Sequence, residues 1–286
     1  MTQPALVMGA VAYAPKVVTI WEGFKAWFAQ HGLAFDYVLY SNYEAQVEAQ
    51  FNGTIHLAWN SPLAWVRAER MARNRGQSVQ AVAMRDTDCD LRSVIVVRAD
   101  SSFGSITELR GRTVGVGAID SPQATLLPLH HMRLSGLNPG HDFNVRRFDA
   151  LGGKHGDHVG GERDAALALL SGEVDACCMI DGNHLAFGLD GTLPAGSTRI
   201  IERTALYDHC NFTTSPGAPQ SAVTHFVELL LAMRWDDPQV RPLLEMEGLR
   251  QWLPGRINGY TQLIKAVDEY GFYAADGRIL HADYRY

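Results

Sequence analysis

The chain has 286 residues, 47% of them hydrophobic and 20% charged, with a formal net charge of −6. That length suits one large domain or two lobes of about 100–150 residues each. The acidic balance, with no Lys/Arg run or basic stripe, argues against nucleic acid as a partner. No stretch approaches the roughly 18 apolar residues of a membrane span.

Residues 5–11 read as a first buried strand that ends at Ala12-Tyr13-Ala14-Pro15. Residues 17–31 carry Val18, Trp21, Phe24, Trp27 and Phe28 at helical spacing, and Gly32 follows at the C′ position. Residues 35–39 form a second strand, and Ser41-Asn42-Tyr43 opens a second helix. Residues 55–59 form a third strand, and Asn60-Ser61-Pro62 opens a third helix with Pro at N1. Three strand-to-helix units in a row imply a parallel sheet with right-handed crossovers.

Residues 82–84 and 93–98 read as two further strands, after which the pattern restarts. One helical turn spans residues 106–109. Strands are predicted at 113–116, 145–148 and 174–179, with helices at 123–135 and 162–170 that end near Gly136 and Gly172. Residues 199–201 begin a strand expected to return to the first sheet. Another strand at 210–213 and helices at 219–234, 238–251 and 259–271 complete the chain. The predicted fold class is α/β, with two Rossmann-like lobes of mixed, mostly parallel sheets joined by two crossover strands. Lobe 1 takes residues 1–98 plus 199–286, and lobe 2 takes residues 99–198.

The four cysteines, Cys89, Cys177, Cys178 and Cys210, lack metal-ligand spacing. In a strand, adjacent Cys177 and Cys178 point to opposite faces. Unpaired thiols fit a reducing compartment, and the first twelve residues lack the basic start of an export signal. The expected location is therefore cytoplasmic, or periplasmic if a signal has been removed. No metal or cofactor is expected.

Ligands of parallel sheets sit at the carboxyl ends of strands. Tyr13, Ser41, Asn60 and Ser61 occupy such positions, although turn chemistry and capping explain them equally well. Residues 113–122 run strand, loop, helix start. That order presents backbone N–H groups at a positive dipole end, which suits an anion. Ser121, Gln123, Ala124 and Thr125 would contact it there. The competing reading makes Asp120 the N-cap of a D-x-x-Q capping box closed by Gln123.

Lys154, His155, Asp157 and His158 lie in a glycine-rich loop, read as solvated or as a lid over a ligand. Asp181 and His184 follow the 174–179 strand and can serve a ligand ammonium or proton transfer. His155, His158, Asp181 and His184 are thus the catalytic candidates, weighed against caps and turns. Asp208-His209-Cys210 offers a Cys–His pair only if the two side chains meet in space. Trp59 and Trp65 are assigned to the core.

Taken in order, several segments resemble the phosphonate-binding branch of type II periplasmic binding proteins. They are residues 101–114 (SSFGSITELRGRTV), 120–128 (DSPQATLLP), 164–176 (DAALALLSGEVDA), 53–61 (GTIHLAWNS) and 259–267. The resemblance implies a protein whose two lobes close over a small anionic or zwitterionic solute in an interlobe cleft. It also implies an ABC permease as partner, and it puts Arg163 near a ligand-facing histidine of that family. Where the family has a hydroxyl-rich loop, this chain has Ser121-Pro122-Gln123-Ala124. The alternative is a cytosolic enzyme on the same scaffold, a lyase, decarboxylase or cofactor-biosynthesis type. A ligand-sensing regulatory module is a third reading.

Overall fold

The computed structural model describes residues 5–157 and 160–286. In chain order the strands are β1 (Leu6–Val11), β2 (Phe35–Tyr40), β3 (Leu57–Asn60), β4 (Ala81–Arg85), β5 (Ser93–Arg98), β6 (Thr113–Val116), β7 (Asn144–Arg147), β8 (Ala176–Ile180), β9 (Thr198–Arg203), β10 (Asn211–Thr214) and β11 (Trp252–Pro254). The α-helices are α1 (Lys16–Gln30), α2 (Tyr43–Phe51), α3 (Pro62–Asn74), α4 (Leu127–Leu134), α5 (Gly160–Ser171), α6 (Asp181–Leu189), α7 (Gln220–Ala232), α8 (Arg241–Glu247) and α9 (Thr261–Glu269).

The chain divides into two compact units. The first holds residues up to Cys89, Asp208–Tyr260 and Tyr273–Ile279; the second holds Asp90–Tyr207, Thr261–Phe272 and Leu280–Tyr286. The boundaries thus fall at 89/90 and 207/208, rather than at 98/99 and 198/199. The reason is pairing: β5 bonds to both β8 and β9 in one sheet, so both strands lie with the second unit.

In the first unit a six-stranded sheet runs β11-β4-β10-β3-β1-β2. The β1–β2 and β1–β3 pairs are parallel, as three strand-to-helix units require, whereas β10 is antiparallel to both β3 and β4. The strand that returns to this sheet is therefore β10, not the one at residues 199–201. Helix α1 buries Val17, Ile20, Trp21, Phe24, Trp27 and Phe28, and Gly32 follows it at φ 79°. Glycine takes that left-handed conformation without a steric cost. Phe212 of β10 lies among Trp59, Phe226 and Trp252, with ring centroids at 4.7, 4.9 and 5.3 Å. Trp59 and Trp65 are both buried. Strand β11 follows the region read as one helix over 238–251; α8 ends at Glu247 because Gly248 takes a left-handed turn at φ 81°.

In the second unit a five-stranded sheet runs β7-β6-β8-β5-β9. Its β6–β7 and β6–β8 pairs are parallel, and β5 is antiparallel to both its neighbours. Strand β8 separates two apolar layers: Cys178 packs in one with Val114 and Leu129, Cys177 in the other with Leu169 and Phe187. The two thiols do point to opposite faces. The turn at Ile106–Leu109 is a 3-10 helix closed by a Ser105/Glu108 capping box. Residues 181–184, for which caps and turns were one reading, open α6 (Asp181–Leu189).

Replacing Phe212 by Ala is expected to lower stability by about 3–5 kcal/mol, because a fully buried ring leaves a cavity between packed aromatics. Urea unfolding of the full chain, followed by tryptophan fluorescence, measures it. A loss under about 1 kcal/mol would contradict this packing.

Candidate functional site

In the second unit, β6 ends at Val116, and a buried loop leads to Ser121 and a π-helical turn, Pro122–Leu126, that continues into α4. Ser121 is the N-cap: its hydroxyl oxygen accepts from the Ala124 amide at 3.1 Å. This overturns the competing reading of Asp120 as the cap, for a clear reason. The Asp120 carboxylate is committed elsewhere, accepting from the amides of Gly153 at 2.6 Å and His155 at 3.2 Å and from the Tyr284 hydroxyl at 3.3 Å. The expected capping box also fails on the other side, since the Gln123 amide donates to the Gly156 carbonyl at 2.7 Å. Thr125 donates its hydroxyl to Ala118, and the Gln123 carbonyl accepts from the Ser93 hydroxyl.

The glycine-rich loop is therefore packed on the helix start rather than solvated at residues 153–156. His155 is wholly buried and takes φ 51°, a conformation non-glycine residues seldom adopt. Gly156 lies so close that a Cβ there would stand 2.5 Å from Ser121 Oγ and 2.7 Å from Gln123 Nε2. Burial holds the Lys154 ammonium below the usual lysine range, while Asp157 acts in the opposite direction. His158 lies outside the described residues.

The remaining candidates of this unit have other partners. Arg163 is half-buried, bonded to Asp190 at 2.9 Å and to Thr192, with its guanidinium over the Phe187 ring. Asp181 is exposed at the start of α6, and its carboxylate accepts from the next amide, that of Gly182. His184 meets the Thr198 hydroxyl at 3.2 Å, and burial, with Arg203 beside it, lowers its pKa. Asp181 and His184 are thus not joined as an acid–base pair. Sequence reasoning missed Glu162, a buried carboxylate that accepts from the Ile180 amide and from Asn183.

In the first unit, Tyr13 follows β1, half-buried, with the Lys16 ammonium 5.8 Å from its ring centroid. Ser41 is exposed after β2 and accepts from Asn42, which itself caps α2. Asn60 is fully buried and structural in its contacts: it accepts from Gln46 at 2.8 Å and donates to Gln50 at 3.0 Å. Ser61 caps α3 by accepting from Ala64.

A further group was read only in part, because Arg85 and Asp88 lie far in sequence from Glu247 and from His209 and Cys210. Arg85 grips Asp88 through Nε at 2.5 Å and Nη2 at 3.0 Å, and reaches Glu247 at 3.3 Å. Burial opposes the Asp88 charge, but Arg85 and the hydrogen bonds from His209 and Arg85 prevail and hold its carboxyl down at about 2. Cys210 Sγ is 3.1 Å from His209 Nδ1. The adjacency that the sequence left open is therefore met, because residues 208–210 precede β10 and do not alternate faces.

Asp88 is ionised in the folded state at a pH where an unfolded aspartate, at about 3.9, has taken up its proton. Its contribution to stability is thus complete above about pH 4 and is lost as pH falls toward 2. An acid titration of stability for Asp88→Asn against the unaltered chain is expected to lose the slope in that window. An unchanged slope would contradict the ion pair. Asp120→Ala is expected to cost about 3 kcal/mol by leaving buried donors unmet and to make residues 152–157 exchange amide hydrogens faster. Unaltered exchange there would refute its anchoring role.

Residues 9–260 match the family described as ABC transporter, phosphonate, periplasmic substrate-binding protein. No curated protein matches the sequence. Three solved structures are similar in fold. PhnD1 from Prochlorococcus marinus, in complex with methylphosphonate, has TM-score 0.70 at 16% identity, over 93% of this chain and 98% of that one. A Xanthomonas citri protein bound to ATP has TM-score 0.71 at 16% identity, over 93% and 98%. The periplasmic aliphatic sulphonate binding protein SsuA of Escherichia coli has TM-score 0.62 at 16% identity, over 94% and 93%. The expected cytoplasmic location finds no support here, since the family is described as periplasmic. Among the described residues, no helix is long and apolar enough to cross a membrane.

Proposed function

Since the chain belongs to the family of periplasmic substrate-binding proteins of phosphonate ABC transporters, we propose that it binds a small solute carrying a tetrahedral oxyanion at Ser121. The observation that carries this reading is the helix start after β6. Ser121 caps it through its hydroxyl oxygen, and the helix dipole favours negative charge at that end. The fold relatives described above hold a methylphosphonate, an ATP or, by name, a sulphonate. These share one chemistry, a phosphorus or sulfur centre ringed by oxygens.

Gly156 rests on Ser121 and Gln123, so ligand binding and withdrawal of residues 153–156 are one event. Tyr13 and Ser41 stand at strand ends of the first unit, where Tyr13 offers a stacking face and Ser41 a hydroxyl. Asn60 and Ser61 are assigned to structure, because their side chains serve Gln46, Gln50 and Ala64. The catalytic alternative lacks comparable support, with Asp181 and His184 bonded to Gly182 and Thr198.

We place the protein in the periplasm with its family. Two of its cysteines, Cys177 and Cys178, are compatible with that compartment. Burial raises the Cys177 thiol and pushes Cys178 up to about 12, so neither reacts readily.

Calorimetric titration with methylphosphonate, an alkanesulfonate and ATP tests the ligand class. At least one should bind, and Ser121→Ala should weaken it about ten-fold, near 1.4 kcal/mol. No binding of any of the three at millimolar concentration would overturn the reading. So would an affinity that survives Ser121→Ala.

A further inference from the structure

We propose that Asp88, His209 and Cys210 form a binding site for a thiophilic divalent metal ion, zinc being the fitting one. All three residues are buried, and one ligand atom from each lies within 4.8 Å of the others. His209 Nδ1 stands 3.4 Å from Asp88 Oδ1 and 3.1 Å from Cys210 Sγ. Ligand atoms around tetrahedral zinc, with bonds of 2.0–2.3 Å, stand about 3.4–3.6 Å apart. Both pairs that include His209 thus stand near that spacing, and the third lies within 4.8 Å. A nitrogen, a sulfur and a single oxygen select zinc-like ions over calcium or magnesium, which require oxygen cages. Three protein ligands leave the fourth position for water.

The neighbouring guanidinium does not oppose this. A divalent ion with one carboxylate and one thiolate is neutral, so Arg85 meets no net positive charge. Arg85 bonds both oxygens of Asp88, which fixes the carboxylate as an outer-shell partner does, and Oδ1 keeps a lone pair for a metal. Tyr260 donates to the His209 carbonyl at 2.8 Å and holds that backbone in place. The ring of Trp59 lies 5.1 Å from the Arg85 guanidinium, and Cys210 packs into the aromatic core beside it. These groups keep the surroundings poor in water, which strengthens charge interactions.

The chain path gives the site a purpose. Asp88 stands just before the chain leaves the first unit at Cys89, and His209 and Cys210 follow just after it returns at Asp208. One backbone hydrogen bond, from the His209 amide to the Asp88 carbonyl at 2.8 Å, already joins these segments. A metal there ties exit to return through side chains and stabilises the first unit by mass action. The site lies wholly in that unit and does not depend on the Ser121 reading.

The test uses the full chain after treatment with a chelator. Equilibrium dialysis with zinc sulfate should give one ion per chain, and zinc should raise the melting temperature. Cys210→Ser and His209→Gln should each weaken binding at least ten-fold. Peptide-resolved alkylation of the unaltered chain should show zinc slowing modification of Cys210 at least ten-fold; this reading needs no variant to fold. No saturable binding, binding unchanged in both variants, or equal alkylation of Cys210 with and without zinc would each overturn the proposal.

Discussion

The first sheet is continuous only because β10 fits between β3 and β4. Without residues 211–214, β4 and β11 have no bond to β3, β1 and β2. Nearly everything in that unit follows from this insertion. It carries Phe212 into the aromatic core against Trp59 and Trp252, and it seats Asn211 against the Tyr260 hydroxyl. It also brings His209 and Cys210 beside Asp88. The whole of the second unit's main segment lies between β4 and β10 in the chain, so this pairing closes a long loop. Loop closure costs grow slowly with length, but such non-local contacts slow folding.

Each unit also buries a carboxylate that organises an irregular segment. In the first, Asp88 is held by Arg85 and fixes the turn where the chain departs. In the second, Asp120 gathers the amides of Gly153 and His155 and the Tyr284 hydroxyl, and so binds a glycine-rich loop to the helix start. Buried charges of this kind contribute little net stability when paired and cost much when a partner is removed. Their value here is specificity of loop position.

Membership of a binding-protein family does not by itself name a solute. The chemistry at this helix start is spare, with one capping hydroxyl, a proline that removes an N–H, and an amide side chain lent to Gly156. A site with few fixed donors relies more on the dipole and on backbone amides than on a dense hydroxyl set.

Local pattern alone determined the α/β class, the parallel start of the first sheet, the aromatic face of α1 and the opposite faces of Cys177 and Cys178. Apolar spacing, a Pro at N1 and a glycine after a helix act within a few residues, so they are legible without a partner. Ser121 was legible as part of a helix start for the same reason. Only the tertiary structure decided that Ser121 rather than Asp120 caps that helix, because the rivals for Asp120 come from residues 153–155 and 284. Likewise it settled that Asn60 serves two glutamines and that Arg163 turns to Asp190. Strand choice was equally non-local: the strand at 199–201 was expected to return to the first sheet, but it pairs with β5, and β10 makes the return instead. The meeting of Asp88 with His209 and Cys210 had no sequence signal, since spacing reports on neighbours along the chain and says nothing of those that topology brings together.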